Sequence, residues 1–234
     1  MKSSHRSSIL CILAAIVAHG LLSPANCIGA EKTAKGPLKV FILAGQSNMD
    51  GQADIRTIDF LGEDPDPARA ALLKTFKPGG ELMTRYDVWV SSGSGVNTEL
   101  CAGHGGRRNY DKLGSCIGPE FAFGHYAGEA FDEQVLLIKF APGGQSLYVN
   151  FRPPSAGQTG IDKMDNQILT KEVADKWNEG RVEPVVGLQY RNMVRYVYKT
   201  LGNLKESFPG YDEQAGYEMA GFVWFQGFND LFDV

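Results

Sequence analysis

The run Lys39-Val40-Phe41-Ile42-Leu43-Ala44 is apolar, rich in β-formers and closed by Gly45, which predicts a buried strand. Val135 to Phe140 and Ala220 to Phe225 repeat the pattern. Tyr86 to Val90 predicts a fourth strand inside an otherwise irregular stretch, 51–117, rich in Gly, Asp and Pro. Between these runs the period changes. Gly118-Pro119 opens a helix to about Phe131, with Pro where a first turn has no N–H to lose. A loop is expected from Pro142 to Gly160, then a polar helix over about 162–178. Val186, Tyr190, Met193, Val194, Val197, Tyr198, Leu201 and Leu204 recur at helical spacing between Val185 and Ser207, and Pro209-Gly210 ends that helix. Unbroken apolar strands alternating with helices predict a parallel sheet covered on both faces.

The first thirty residues read differently. Lys2 and Arg6 precede an apolar run from Ile9 to Leu22, and small residues follow at Ala25, Gly29 and Ala30. That is the order of a secretory signal, with cleavage expected after Ala30 and the globular domain over 31–234. The run is short and broken by His19 and Gly20, so no stable membrane span is expected in the mature protein. An uncleaved anchor is the alternative, and Pro24 and Asn26 fit poorly around a lipid-modified Cys27. Export fits the cysteine usage, since only Cys101 and Cys116 remain in the mature chain. They can pair across a Gly-rich segment, or remain two thiols. A metal site is not expected, because only His104 would join them.

Composition narrows the function classes. The 234 residues are 43% apolar and 21% charged, too apolar for a disordered chain. The 23 basic and 27 acidic residues give a net charge of −4, which becomes −6 once Lys2 and Arg6 leave with the signal. A nucleic-acid partner is not expected, for the only basic doublet is Arg107-Arg108. A nucleotide-binding α/β protein is disfavoured too, because no Gly-x-Gly-x-x-Gly or Walker pattern occurs.

Polar, Gly-containing clusters follow three of the strands: Gly45-Gln46-Ser47-Asn48, Gly143-Gly144-Gln145-Ser146 and Gln226-Gly227-Phe228-Asn229-Asp230. Loops at the carboxyl ends of parallel strands converge on one edge of the sheet. Their chemistry suits acyl transfer: a Ser to attack a carbonyl, Gly N–H groups to hold the oxyanion and an amide side chain as a further donor. The plainer alternative is that these glycines close βα turns and Ser47 caps a helix.

Gly45-Gln46-Ser47-Asn48-Met49, Gly143-Gly144-x-Ser146-Leu147 and Trp224-Phe225-Gln226-Gly227-x-Asn229-Asp230, in this order over roughly 37–234, resemble the SGNH hydrolase superfamily. Within it the chain is similar to the sialate O-acetylesterase-like group, related to carbohydrate esterase family 6. The resemblance implies an α/β fold, a flavodoxin-like three-layer α/β/α sandwich with a parallel sheet. It also implies hydrolysis of acetyl esters on O-acetylated carbohydrate, of sialate or acetyl-xylan type, without cofactor or metal. By that likeness Ser47 is the nucleophile, and its N–H, Gly143 or Gly144 and the Gln226 side chain form the oxyanion hole. Gly118-Pro119-Glu120 matches a further recurring segment. Gln46, Asn48, Asn229 and Asp230 are expected at the substrate, with Tyr148 and Arg152 lining a sugar subsite beside Phe151, Pro153 and Pro154.

The departures are as informative. The family takes its base from an Asp-x-x-His motif near the C-terminus, whereas no His follows His125 here. A chain lacking its last strand and helix, with impaired activity, is the expectation, and a carbohydrate-binding pseudoenzyme is the alternative. His104 and His125 remain as base candidates, neither with an Asp at the spacing that orients an imidazole. Where the family often carries an acidic residue after Gln-Gly, this chain has Phe228.

Overall fold

A computed structural model of the chain describes residues 36–93, 95–106, 112–156 and 186–231, together with short strands at 27–28, 163–164 and 167–168. The expected signal, apart from 27–28, and Arg107-Arg108 lie outside the described residues.

Four strands run parallel at the centre: β2 (Leu38–Gly45), β4 (Thr84–Ser92), β7 (Val135–Phe140) and β10 (Tyr217–Phe225). They lie in the order β4-β7-β2-β10. Two further pieces pair with β4: β1 (Cys27–Ile28), parallel along Thr84 and Arg85, and β5 (Val96–Leu100), antiparallel. Sequence reading assigns Cys27 and Ile28 to the cleaved signal, whereas the structure places their backbone on the sheet.

Alternation along each strand sorts side chains to two faces. Phe41 and Leu43 of β2, Val88 and Val90 of β4 and Val135 and Leu137 of β7 share one apolar cluster with Phe121 and Ala127. The latter two belong to α4 (Pro119–Ala130), which covers that face beside the short α3 (Leu72–Phe76). Leu38, Val40, Trp89, Leu136 and Ile138 point the other way, onto Val197 and Leu204. These come from α5 (Leu188–Gly202) and α6 (Leu204–Ser207). The molecule is the expected α/β/α sandwich.

Three local expectations change. The polar helix at 162–178 is replaced, where described, by an antiparallel pair of short strands, β8 (Lys163–Met164) and β9 (Gln167–Ile168). Asp165, Asn166 and the rest of that span lie outside the described residues. The irregular stretch contains β3 (Ala53–Asp54), paired antiparallel with β6 (Cys116–Ile117). Cys101 and Cys116 are free thiols rather than a disulfide. Each is held by other neighbours: Cys116 is a buried member of the β3–β6 pair, and the Cys101 thiol, its pKa pushed up by burial, bonds Thr98.

Candidate active site

The three polar clusters follow adjacent strands, β7, β2 and β10, whose ends lie abreast. Ala44 pairs with Phe140 on one side, and Gly45 pairs with Phe225 on the other. Gly45 is required there, because a Cβ would stand 2.1 Å from the Phe225 carbonyl oxygen. The chain can therefore turn sharply from β2 into α1 (Ser47–Asp50). Ser47 opens that turn, half-buried at the carboxyl edge.

Gln46 organises the site. Its side chain is fully buried, which removes it from the expected substrate contacts and makes it a positioning residue. Its Oε1 accepts from Ser47 Oγ at 2.9 Å and from the Gly144 N–H at 3.1 Å, while its Nε2 donates to the Gly227 carbonyl. One amide thus ties all three loops together. Asp230 makes a second tie. Its carboxylate accepts the N–H groups of Leu147 at 3.1 Å and Tyr148 at 2.7 Å, so it steadies the loop after β7. Asn48 is exposed and reaches the Gln226 carbonyl at 3.5 Å. A Cβ on Gly227 would lie 1.9 Å from Asn48 Nδ2, so glycine permits the two loops to meet. Asn229 joins through its backbone, donating to the Gly227 carbonyl at 2.8 Å.

The expected oxyanion donors are gathered but engaged. The Gly144 N–H points to Gln46, and the Gln226 amide donates to the Gln145 carbonyl at 2.7 Å, with Asp230 Oδ2 at 3.5 Å. Gln226 Oε1 is buried with no partner among the described residues, a state that costs about 1–3 kcal/mol. A ligand oxygen binding here has to exchange with these internal acceptors. Gly143 and Gly144 face open space and leave room for it. Tyr148 is exposed, with the Arg152 guanidinium 5.0 Å over its ring. That guanidinium also donates to the Ala156 carbonyl at 2.6 Å, so Arg152 braces the loop after β7.

The Ser47 hydroxyl bonds Gln46 rather than either base candidate. His104 is fully buried, with Nε2 3.1 Å from Thr98 Oγ1. His125 sits on α4 over the amino end of β4, with Nδ1 3.3 Å from Arg85 Nη1. Burial, and then the Arg85 charge, push its pKa down. The described arrangement therefore supplies a serine hydroxyl held by an amide oxygen, which orients Ser47 without having the basicity to take its proton.

Sequence reading passed over Lys139. It is the penultimate residue of β7, fully buried, and its Nζ donates to the carbonyls of Asp50 at 2.8 Å and His104 at 3.0 Å and to the Glu120 carboxylate. Glu120 also accepts the Gly118 N–H at 3.0 Å. A lone lysine inside Val-Leu-Leu-Ile-Lys-Phe was the available signal, because an unpaired buried cation is unaffordable.

Comparisons with known proteins address the family of the chain. No curated protein matches the chain. An Arabidopsis thaliana protein solved by X-ray crystallography is similar at 16% identity and a TM-score of 0.39, covering 82% of this chain. The match spans 58% of that protein's length. A family model described as carbohydrate esterase, sialic acid-specific acetylesterase, matches residues 37–233. That match takes in all three loops joined by Gln46, and the chain belongs to this family of carbohydrate esterases.

Proposed function

We propose that the chain is an exported O-acetylesterase domain that removes acetyl groups from carbohydrate, of sialate or acetyl-xylan type, through a Ser47 acyl-enzyme. The observation that carries this reading is the hydrogen bond from Ser47 Oγ to Gln46 Oε1 within a network that also holds Gly144 and the Gln226 loop. In the reaction, Ser47 Oγ attacks the acetyl carbon while N–H groups of Ser47, Gly143 or Gly144 and Gln226 turn to the developing oxyanion. The sugar hydroxyl leaves with a proton, and water then releases acetate. With the described residues alone turnover is slow, because the Ser47 hydroxyl donates to an amide oxygen that lacks the basicity to take its proton. Oxyanion stabilisation and binding alone sustain roughly 10³–10⁴-fold over water in serine hydrolases deprived of triad members.

The test compares p-nitrophenyl acetate turnover in wild type, Ser47→Ala, His104→Ala and His125→Ala. A weak rate lost only in Ser47→Ala is expected. A strong rate lost in one His variant identifies that residue as the base and overturns the proposal of impaired activity. A second reading, a carbohydrate-binding pseudoenzyme, is favoured by the engaged oxyanion donors; it requires binding of acetylated sugar with no Ser47-dependent turnover.

Export is supported by the basic, apolar and small-residue order of residues 1–30. N-terminal sequencing of secreted protein should begin at Glu31. A start before Cys27 would keep β1 on the sheet and overturn cleavage after Ala30.

A further inference from the structure

The loop that carries Gln226 contains a residue that nothing above has used. Phe228 has a φ of +26°, the described non-glycine backbone with positive φ, and its side chain is 62% exposed. For a bulky residue such a backbone is a strained outlier that persists only where its surroundings dictate it. They do so on both sides. The preceding carbonyl, of Gly227, is held by Gln46 and by the Asn229 N–H at 2.8 Å. Beyond it, the Phe228 carbonyl accepts the Leu231 N–H at 2.9 Å, and Asp230 is fastened to Leu147 and Tyr148. Strain and exposure of a large apolar ring both run against folding stability. Their coincidence next to the residue that holds the nucleophile points to a ligand.

The same ties set the ring's place. Gly227, adjacent to Phe228, bonds the Gln46 side chain that also holds Ser47 Oγ. Asp230 links this loop to Tyr148, whose ring is 44% exposed, and Leu147 beside it is 45% exposed. The rim of the nucleophile's loops therefore carries exposed aromatic and apolar side chains next to the polar Asn48. A pyranose ring bearing esters is amphipathic in the same way, with C–H groups on its faces and oxygens on its edge.

We propose that Phe228 is a specificity-determining residue, an aromatic platform on which the sugar ring of the ester's alcohol half rests while its acetyl carbonyl meets Ser47. This rests on the esterase reading above and adds to it the part of the substrate that is selected. An ester whose alcohol half is a ring with an apolar face gains this contact, and a simple alkyl acetate does not.

The test uses a fully O-acetylated methyl β-xyloside and ethyl acetate, read as the ratio of their kcat/KM values in wild type, Phe228→Ala, Phe228→Glu and Phe228→Trp. The expected result is a ratio about tenfold lower in the Ala and Glu variants and retained in Trp, the size of one aromatic contact. An unchanged ratio in Phe228→Ala, or an equal fall in Phe228→Trp, overturns the platform and leaves the Ser47 chemistry standing. Absence of Ser47-dependent turnover on both esters overturns the esterase reading instead. Binding of the xyloside, measured by calorimetry in a Ser47→Ala background, then decides the platform by itself. Affinity about tenfold weaker after Phe228→Ala supports it, and equal affinity overturns it.

Discussion

Two buried charge clusters sit at opposite ends of the sheet, and only one of them touches the site. At the carboxyl edge Lys139 and Glu120 are both fully buried, and Lys139 holds the last residue of α1, the helix that Ser47 opens. At the amino edge Arg85 forks onto Asp87 at 2.9 and 2.6 Å and bonds Glu129 and His125. By burial, charge and the presence of a histidine, the second cluster looks the more like an active site. Ser47 and the Gly-rich polar loops joined by Gln46 lie at the other edge. A perturbed, buried titratable group marks a site only when backbone donors and space converge on it, and here those converge on the other edge.

The largest expected effects separate the two clusters. Lys139→Met removes the cation beside the buried Glu120 carboxylate and the bonds to the Asp50 and His104 carbonyls, and should cost about 3–5 kcal/mol in chemical denaturation. Arg85→Met removes both guanidinium bonds to the buried Asp87 and should cost a similar amount. Hydrogen exchange distinguishes them: amides at 46–51 should lose protection in Lys139→Met and keep it in Arg85→Met. Equal loss in both variants would erase the contrast. Gly227→Ala comes next. Its Cβ would collide with Asn48, so a loss of about 1–3 kcal/mol is expected, with partial recovery when Asn48→Gly is added.

Asp230→Asn should have a smaller effect, about 1 kcal/mol, because the carboxylate's two charge-assisted bonds are partly solvated. The sharper readout is faster exchange at the amides of Leu147 and Tyr148. The smallest effect is the pH response of the amino edge. The His125 pKa is lowered on folding, so the unfolded chain takes up the proton first as pH falls. Stability should therefore be flat above about 6.5 and decline below it, until the folded-state value is passed. Glu129, lowered by its hydrogen bond from Arg85, adds a further loss below its ordinary value of 4.5. His125→Gln should flatten the first part of that curve in thermal melts, and an unchanged curve would assign the decline to other groups.

The parallel strands were legible because each is an apolar run between turn residues, and the site edge was legible because a Gly-rich polar cluster follows each of three. Two things were hidden. Short pairings such as β3–β6 depend on backbone contacts between distant segments and carry no side-chain period. The role of Gln46 was hidden as well, since a sequence shows an amide beside a nucleophile but not which way it faces. The structure turns it inward, and an expected substrate contact becomes the brace on which three loops depend. The cysteines stayed open for a related reason, because shared membership of a Gly-rich excursion does not by itself bring two thiols within bonding distance.

The outer edge of β10 has a consequence for the protein in concentrated solution. Among the described residues no strand lies beyond it, while Tyr217, Met219, Phe222 and Phe225 are exposed along it. An apolar groove floored by Met193, Val197, Tyr198 and Leu201 runs alongside. Unpaired backbone groups with apolar flanks template strand addition from other molecules, and natural edges are usually blunted by charge, proline or a bulge. Here the register shift between Met219 and Gly221 and the Lys39–Glu218 ion pair at 2.7 Å interrupt only the first half. Light scattering should therefore rise with concentration well below the melting temperature, and Phe222→Lys should suppress it.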